Sequence, residues 1–265
     1  MVDKCTNMNN QLSNIGTYDF LAEPFHCDFN GNLMMSHLGN HLLNAADYHS
    51  NERGYGMTQL NPIHKTWVLS RLAIQINSMP RVYDKLKVST WVDSVMRYFT
   101  SRNFSFTSAN GKLFGYARSI WAMIDTQTRQ PVDILSLNDG GIAQYIETLK
   151  ECPIAAPSRV KLTSRAQCLY SVKTTYSDID MNGHINSVRY IEHLLNIWDT
   201  HWYATYAIHR IDIAYVAEAH GGDMLYFDVE HDTDNNYLVR ISKQSEGRKE
   251  KVEVCRCKIQ FTEIK

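Results

Sequence analysis

The chain has 265 residues, 44% of them hydrophobic, and a formal charge of -1. That length suits one large domain or two modest ones around a packed core, and near-neutrality excludes the general attraction to nucleic acid or anionic membranes that a strongly basic protein has. No apolar run approaches the roughly 18 residues that span a bilayer.

The opening, MVDKCTNMNNQLSNIG, lacks the apolar stretch of a secretion signal, so a cytoplasmic location is expected. Cys5, Cys27, Cys152, Cys168, Cys255 and Cys257 form no CxxC and have no histidines at metal-ligand spacing. Reduced thiols are therefore expected, with no metal and no cofactor. Met34, Met35, Leu38, Leu42 and Ala45 recur at the three- and four-residue spacing of a helix with one apolar face. RLAIQINSMPRVYDKLKV (71–88) then alternates, placing Leu72, Ile74 and Ile76 on one side of a half-buried strand. Strands follow over 87–95, 98–107 and 113–125, the last two joined by the Asn-Gly turn of SANGK (108–112). IAQYIETLK (142–150) carries a short helical pattern, and the two prolines of CPIAAPSR (152–159) break regular structure, so a boundary is placed near residue 156.

The second half repeats this order. Ile185, Val188, Ile191, Leu195 and Trp198 recur at helical spacing, and RIDIAYVAEAHGGDMLYF (210–227) matches 71–88 without gaps. Arg71 meets Arg210, Ile74 meets Ile213 and Asp84 meets Asp223, each 139 residues apart. Strands over 224–231, 237–243 and 251–262 are separated by DTDNN and SEGRK. Runs of strands after one helix, twice over, predict an α+β fold with antiparallel sheet.

Into the second helix leads DIDMNGHINSVRYIEHL (178–194). Asp180, Asn182 and His184 are spaced by two and would share a face in an extended segment. Gly183 and His184 fall near the expected first turn, where a backbone N–H can stabilise an oxygen that becomes negative. The plainer reading has Asp178 or Asp180 capping the helix and His184 buried and satisfied. The first-half stretch aligned with it, GNLMMSHLGN (31–40), has His37 but no such trio. Glu218 stands opposite Met79. It is expected to be a partly desolvated carboxylate of raised pKa, suited to a general base, or else a solvated strand-end charge.

This trio, followed 34 residues after His184 by Glu218 in YVAEAHGGD, resembles the acyl-acyl carrier protein (acyl-ACP) thioesterases, as do TWVLSRLAI (66–74) and SIWAMIDTQTRQP (119–131). The resemblance implies two tandem hotdog domains, 1–155 and 156–265, each a helix wrapped by antiparallel sheet. Together they mimic the dimer that single-hotdog proteins form, in a monomer or a homodimer of such chains. It implies catalytic roles for Asp180, Asn182, His184 and Glu218, an amino-terminal acyl pocket, and acyl carrier protein as partner in fatty acid synthesis. Met34, Leu38, Leu42, Ile74 and Ile76 are the candidate pocket residues, and Gly183 the backbone oxyanion donor. Plant members carry cysteine after the glutamate, where this chain has Ala219, so a cysteine nucleophile there is excluded.

No Gly-x-Ser-x-Gly elbow is present. Water activated by Glu218 and His184 is the first reading of the nucleophile, and Asp180 acting through a mixed anhydride is the second. An acyl-CoA thioesterase, a hotdog 3-hydroxyacyl thioester dehydratase and a non-enzymatic acyl-binding module are the alternatives. Arg97, Arg102, Lys161 and Arg165 are candidates for docking an acidic carrier protein.

Overall fold

Alternation and helical periodicity become ten strands and four α-helices over residues 12–264, the part of the chain that the computed structural model describes; Cys5 lies outside the described residues. The first half runs β1 (Ile15–Leu21), α1 (Met35–Glu52), α2 (Met57–Leu60), β2 (Lys65–Ile76), β3 (Lys85–Val95), β4 (Phe99–Ser108) and β5 (Leu113–Asp125). The second runs β6 (Gln167–Lys173), α3 (Ser187–Leu195), α4 (Thr200–Thr205), β7 (Tyr206–Tyr215), β8 (Met224–His231), β9 (Asn236–Gln244) and β10 (Val252–Glu263).

All ten strands form one antiparallel sheet in the order β1-β3-β4-β5-β2-β7-β10-β9-β8-β6. Read outward from the centre, the two halves have the same order. They join where β2 pairs with β7, Leu72 opposite Ile213 and Ile74 opposite Ile211. Ala73 pairs with Asp212, its own counterpart 139 residues on, so a pseudo-twofold axis passes through that pair. Leu38 and Leu42 of α1 and Ile191 and Leu194 of α3 join the inward-facing strand residues in one continuous buried core. The helices meet at Gly39, where an added Cβ would stand 3.2 Å from Val188.

Three expectations are corrected. The second helix has 9 residues against 18 in α1, so Trp198 lies beyond its end, before Asp199 caps α4 through Trp202 N–H at 2.8 Å. IAQYIETLK is not an α-helix: a 3-10 helix spans Ile134–Tyr145, and the chain leaves it extended. The edge strands β1 and β6 were not anticipated, because IGTYDFL and QCLYSVK alternate poorly.

The segment between the halves crosses the outer face of the sheet. Glu147 N–H donates to Val92 O at 2.8 Å, and Arg118 to Cys152 O at 2.5 Å. At the axis Arg210 donates to Ala155 O at 3.0 Å, and Ser158 N–H donates to Asp212 at 2.9 Å. Thr163 N–H then reaches Glu230 on β8 at 2.6 Å. Arg210 and Asp212 are buried and paired at 2.8 Å, which compensates two charges that would be costly alone.

Candidate active site

Asp180 opens a tight loop rather than an extended segment. Its Oδ1 accepts the N–H groups of Asn182 at 2.8 Å and His184 at 3.3 Å. Asp180 N–H donates to His184 O at 2.8 Å, and an isolated bridge between Ile179 and Ile185 closes the loop. Gly183 has φ +81, which favours glycine. Its N–H donates to Asp180 O at 3.0 Å, so the backbone oxyanion donor expected at this position is spent within the turn. The helix cap is Asn186, whose side chain accepts Val188 N–H at 3.1 Å. Asp178 instead accepts Thr175 N–H at 2.7 Å and pairs with His193 at 2.8 Å.

The loop presents His184 to Glu218, Nε2 to Oε2, at 3.2 Å. Glu218 follows β7, and its other carboxylate oxygen accepts Arg129 Nη2 at 2.5 Å. Lys243 Nζ donates to the Glu218 carbonyl at 2.6 Å. The carboxylate side chain is 35% exposed, partly desolvated, and held by two cationic or protonatable groups. Arg129 comes from the other half, at φ +62 in the turn after β5. It was missed although TQTRQP lies within the stretch that carries the family resemblance, because no local rule pairs residues 89 positions apart.

Asp180, Asn182, His184 and Glu218 line one cavity of about 640 Å³. Its remaining walls include Leu43, Trp67, Leu69 and Trp121 of the first half, and Tyr190. Tyr190 is 3% exposed, and burial pushes its hydroxyl far above its ordinary pKa. Leu43, Trp67 and Trp121 also border a smaller space lined by Tyr55 and Ile142. Tyr55 and Ile142 in turn border a third lined by Met123 and Leu137.

The five expected pocket residues line none of these three spaces. Leu38, Leu42 and Ile74 are fully buried in the core, because the helix and strand faces they occupy point into the layer between helices and sheet. Met34 and Ile76 line a different cavity. Arg102 is 4% exposed and donates to Thr90 and Ser50, which removes it as a docking residue. Arg97 pairs with Asp133 at 3.1 Å and Arg165 with Glu230 at 3.0 Å. The five described cysteines are free thiols, and burial raises the pKa of Cys255 and Cys257.

The first half repeats the loop in a register different from the one expected. Asp28 Oδ1 accepts Asn30 and Asn32 N–H, both at 2.9 Å, and Gly31, at φ +74, donates to Asp28 O at 2.9 Å. The counterpart of Asp-Met-Asn-Gly-His (180–184) is therefore Asp-Phe-Asn-Gly-Asn (28–32), not GNLMMSHLGN. The longer α1 accounts for most of the shift in the offset upstream of β2 from 139 to 152 residues, the separation of Asp28 and Asp180. Both loops tie to the strand end alike: Leu33 N–H donates to Pro80 O at 2.8 Å and Ile185 N–H to Ala219 O at 2.9 Å. The Met79 and Glu218 equivalence stands, and the first half lacks only the histidine and the glutamate.

Comparison with known proteins places this arrangement. The crystal structure of an acyl-ACP thioesterase from Bacteroides thetaiotaomicron VPI-5482 is 48% identical, with TM-score 0.86 over 94% of this chain and 98% of that one. The 12:0-ACP thioesterase from Umbellularia californica, 17% identical, shares the fold with TM-score 0.77 over 95% of each chain. Oleoyl-acyl carrier protein thioesterase 2, chloroplastic, of Arabidopsis thaliana is 26% identical over 223 residues, 80% of this chain and 59% of that protein. Its paralogue thioesterase 1 is 30% identical over 54% of this chain and 43% of its own, so the chain spans about half the length of these curated relatives. Residues 17–137 match the acyl-ACP thioesterase N-terminal domain and 161–263 the C-terminal domain of that family, and the chain belongs to the acyl-ACP thioesterase family.

Proposed function

We propose that the chain hydrolyses fatty acyl thioesters of acyl carrier protein, releasing free fatty acid in fatty acid synthesis. The observation that carries this reading is the 3.2 Å contact of His184 Nε2 with Glu218 Oε2, set on a cavity walled in part by Leu43, Trp67, Leu69 and Trp121. A water held by this pair loses a proton to it and attacks the thioester carbon. The Asn182 side chain donates to the oxygen as it becomes negative. The C–S bond then breaks, and His184 returns the proton to the thiolate.

Asp180 as nucleophile is disfavoured. Its Oδ1 is committed to two backbone N–H groups, and Asp28 makes the same bonds in the half that lacks His and Glu. We assign Asp180 to holding the loop. On this reading the amino-terminal hotdog, 1–155, houses the acyl chain along Leu43, Trp67, Trp121 and Met123, and the carboxy-terminal one, 156–265, carries the reacting groups.

The test is thiol release across acyl-carrier and coenzyme A thioesters from C8 to C18. Stoichiometric thiol and free acid, faster from the carrier-protein thioesters, are expected. Water loss from a 3-hydroxyacyl thioester without thiol would replace hydrolysis by dehydration, and faster release from coenzyme A would replace the carrier protein.

A further inference from the structure

The pseudo-twofold axis carries the catalytic cavity onto a second one. This cavity, about 380 Å³, lies at the Asp28 loop and is lined by Asn32 and Met79, the counterparts of His184 and Glu218. Its volume lies within the range of small-molecule sites. Met34, Ile76, Leu195, Trp198 and Ile208 form apolar walls. At the loop end Ser78 lines the cavity, where its counterpart in the catalytic cavity is Ala217.

The deep ends of the two cavities differ. Trp121 of the catalytic cavity also borders the small space lined by Tyr55, whereas here Trp198, Trp202, Tyr237 and Phe261 pack edge to face and fill the equivalent place. This cavity therefore takes a shorter chain.

We propose that it is a second acyl-binding site that cannot hydrolyse its ligand: a short or medium hydrocarbon chain lies against Met34, Met79 and Leu195, with its carbonyl or carboxylate oxygen at Asn32. The proposal rests on the acyl reading of the catalytic cavity, to which this one is related by symmetry. Loss of the proton-handling pair removes turnover there, while the loop and the apolar walls that would hold a chain remain.

The experiment is photolabelling of the full chain with a medium-chain fatty acid bearing a diazirine, followed by mass-spectrometric mapping of labelled residues. Saturable labelling within 28–36, 76–79 and 192–209, besides the catalytic cavity, is expected. Competition by free fatty acid and by a non-hydrolysable acyl-pantetheine thioether identifies the source: stronger competition by the acid marks a product site, and by the thioether a substrate site. Met34→Trp, at a partly exposed position, should cut labelling of this cavity at least fivefold and leave labelling near Leu43 and Tyr215 unchanged. Labelling confined to the catalytic cavity, or not saturable at the second, overturns the proposal. Thiol release is assayed on the same preparation. Its absence would overturn the hydrolase reading, and the labelling map would still decide this one.

Discussion

His184 and Glu218 touch each other and, on the proposed mechanism, act as a unit. His184→Ala and Glu218→Gln should each lower kcat by about two or more orders of magnitude, and the double variant should lose little more than either alone. Additive losses would refute shared proton handling. Arg129 acts through Glu218, as a positioning residue. Because that pair is partly exposed, Arg129→Ala should cost about 1 kcal/mol, roughly fivefold in kcat, with KM little changed and partial rescue by Arg129→Lys. A change in KM alone would make Arg129 a substrate contact instead. His49 is fully buried, its Nδ1 meeting the Tyr55 hydroxyl and its Nε2 the Asn14 carbonyl, each at 3.0 Å. Burial, aided by the Arg102 guanidinium, pushes it down to about 3. Between pH 6.5 and that value the unfolded chain takes a proton that the folded one refuses, so stability falls as pH drops, by up to about 1.4 kcal/mol per pH unit. Urea midpoints from pH 7 to 4.5 should fall more steeply for the wild type than for His49→Gln; equal slopes would show that His49 titrates normally.

At the scale of elements, the two Asp loops share one backbone design but face different chemistry. Asp28→Ala and Asp180→Ala should each cost about 1 kcal/mol of stability, since each strips two backbone N–H groups of an acceptor. The loss of turnover should be at least ~10-fold greater for Asp180→Ala, because only that loop positions a histidine against a carboxylate. Equal losses would make the effect one of stability alone. Legibility divides along the same line. Alternation and turn chemistry marked the eight inner strands and α1, because each buries a whole face. β1 and β6 sit at the sheet edges with little to bury, and they read as loops. Asp180, Asn182, His184 and Glu218 were legible as a set because loop and strand end are short local units. The turn that consumes the Gly183 N–H depends on a positive φ, which spacing by two does not reveal. Leu38, Leu42 and Ile74 fall in the core and Met34 and Ile76 on a cavity, because apolar periodicity identifies a buried face without saying whether core or cavity lies against it.

Across the whole molecule, the segment between the halves is a strap and not a tether. It crosses the axis once, so Asp212 is needed in one copy and its counterpart is Ala73. Asp212→Ala would leave Arg210 buried without its partner and Ser158 N–H without an acceptor, and should destabilise the chain by about 3–5 kcal/mol. Asp212→Asn, which can keep the Ser158 bond, should cost less. Equal, small shifts in the urea midpoint would show that the strap is held by its apolar residues alone. The same axis bears on inheritance. In an assembly of two identical chains every substitution is made twice, and replacing the loop histidine by asparagine would remove it from both loops at once. Here a single gene encodes both copies separately. Asn32 and Met79 can therefore be carried beside His184 and Glu218, and mutations can accumulate around the first loop while selection for turnover acts on the second.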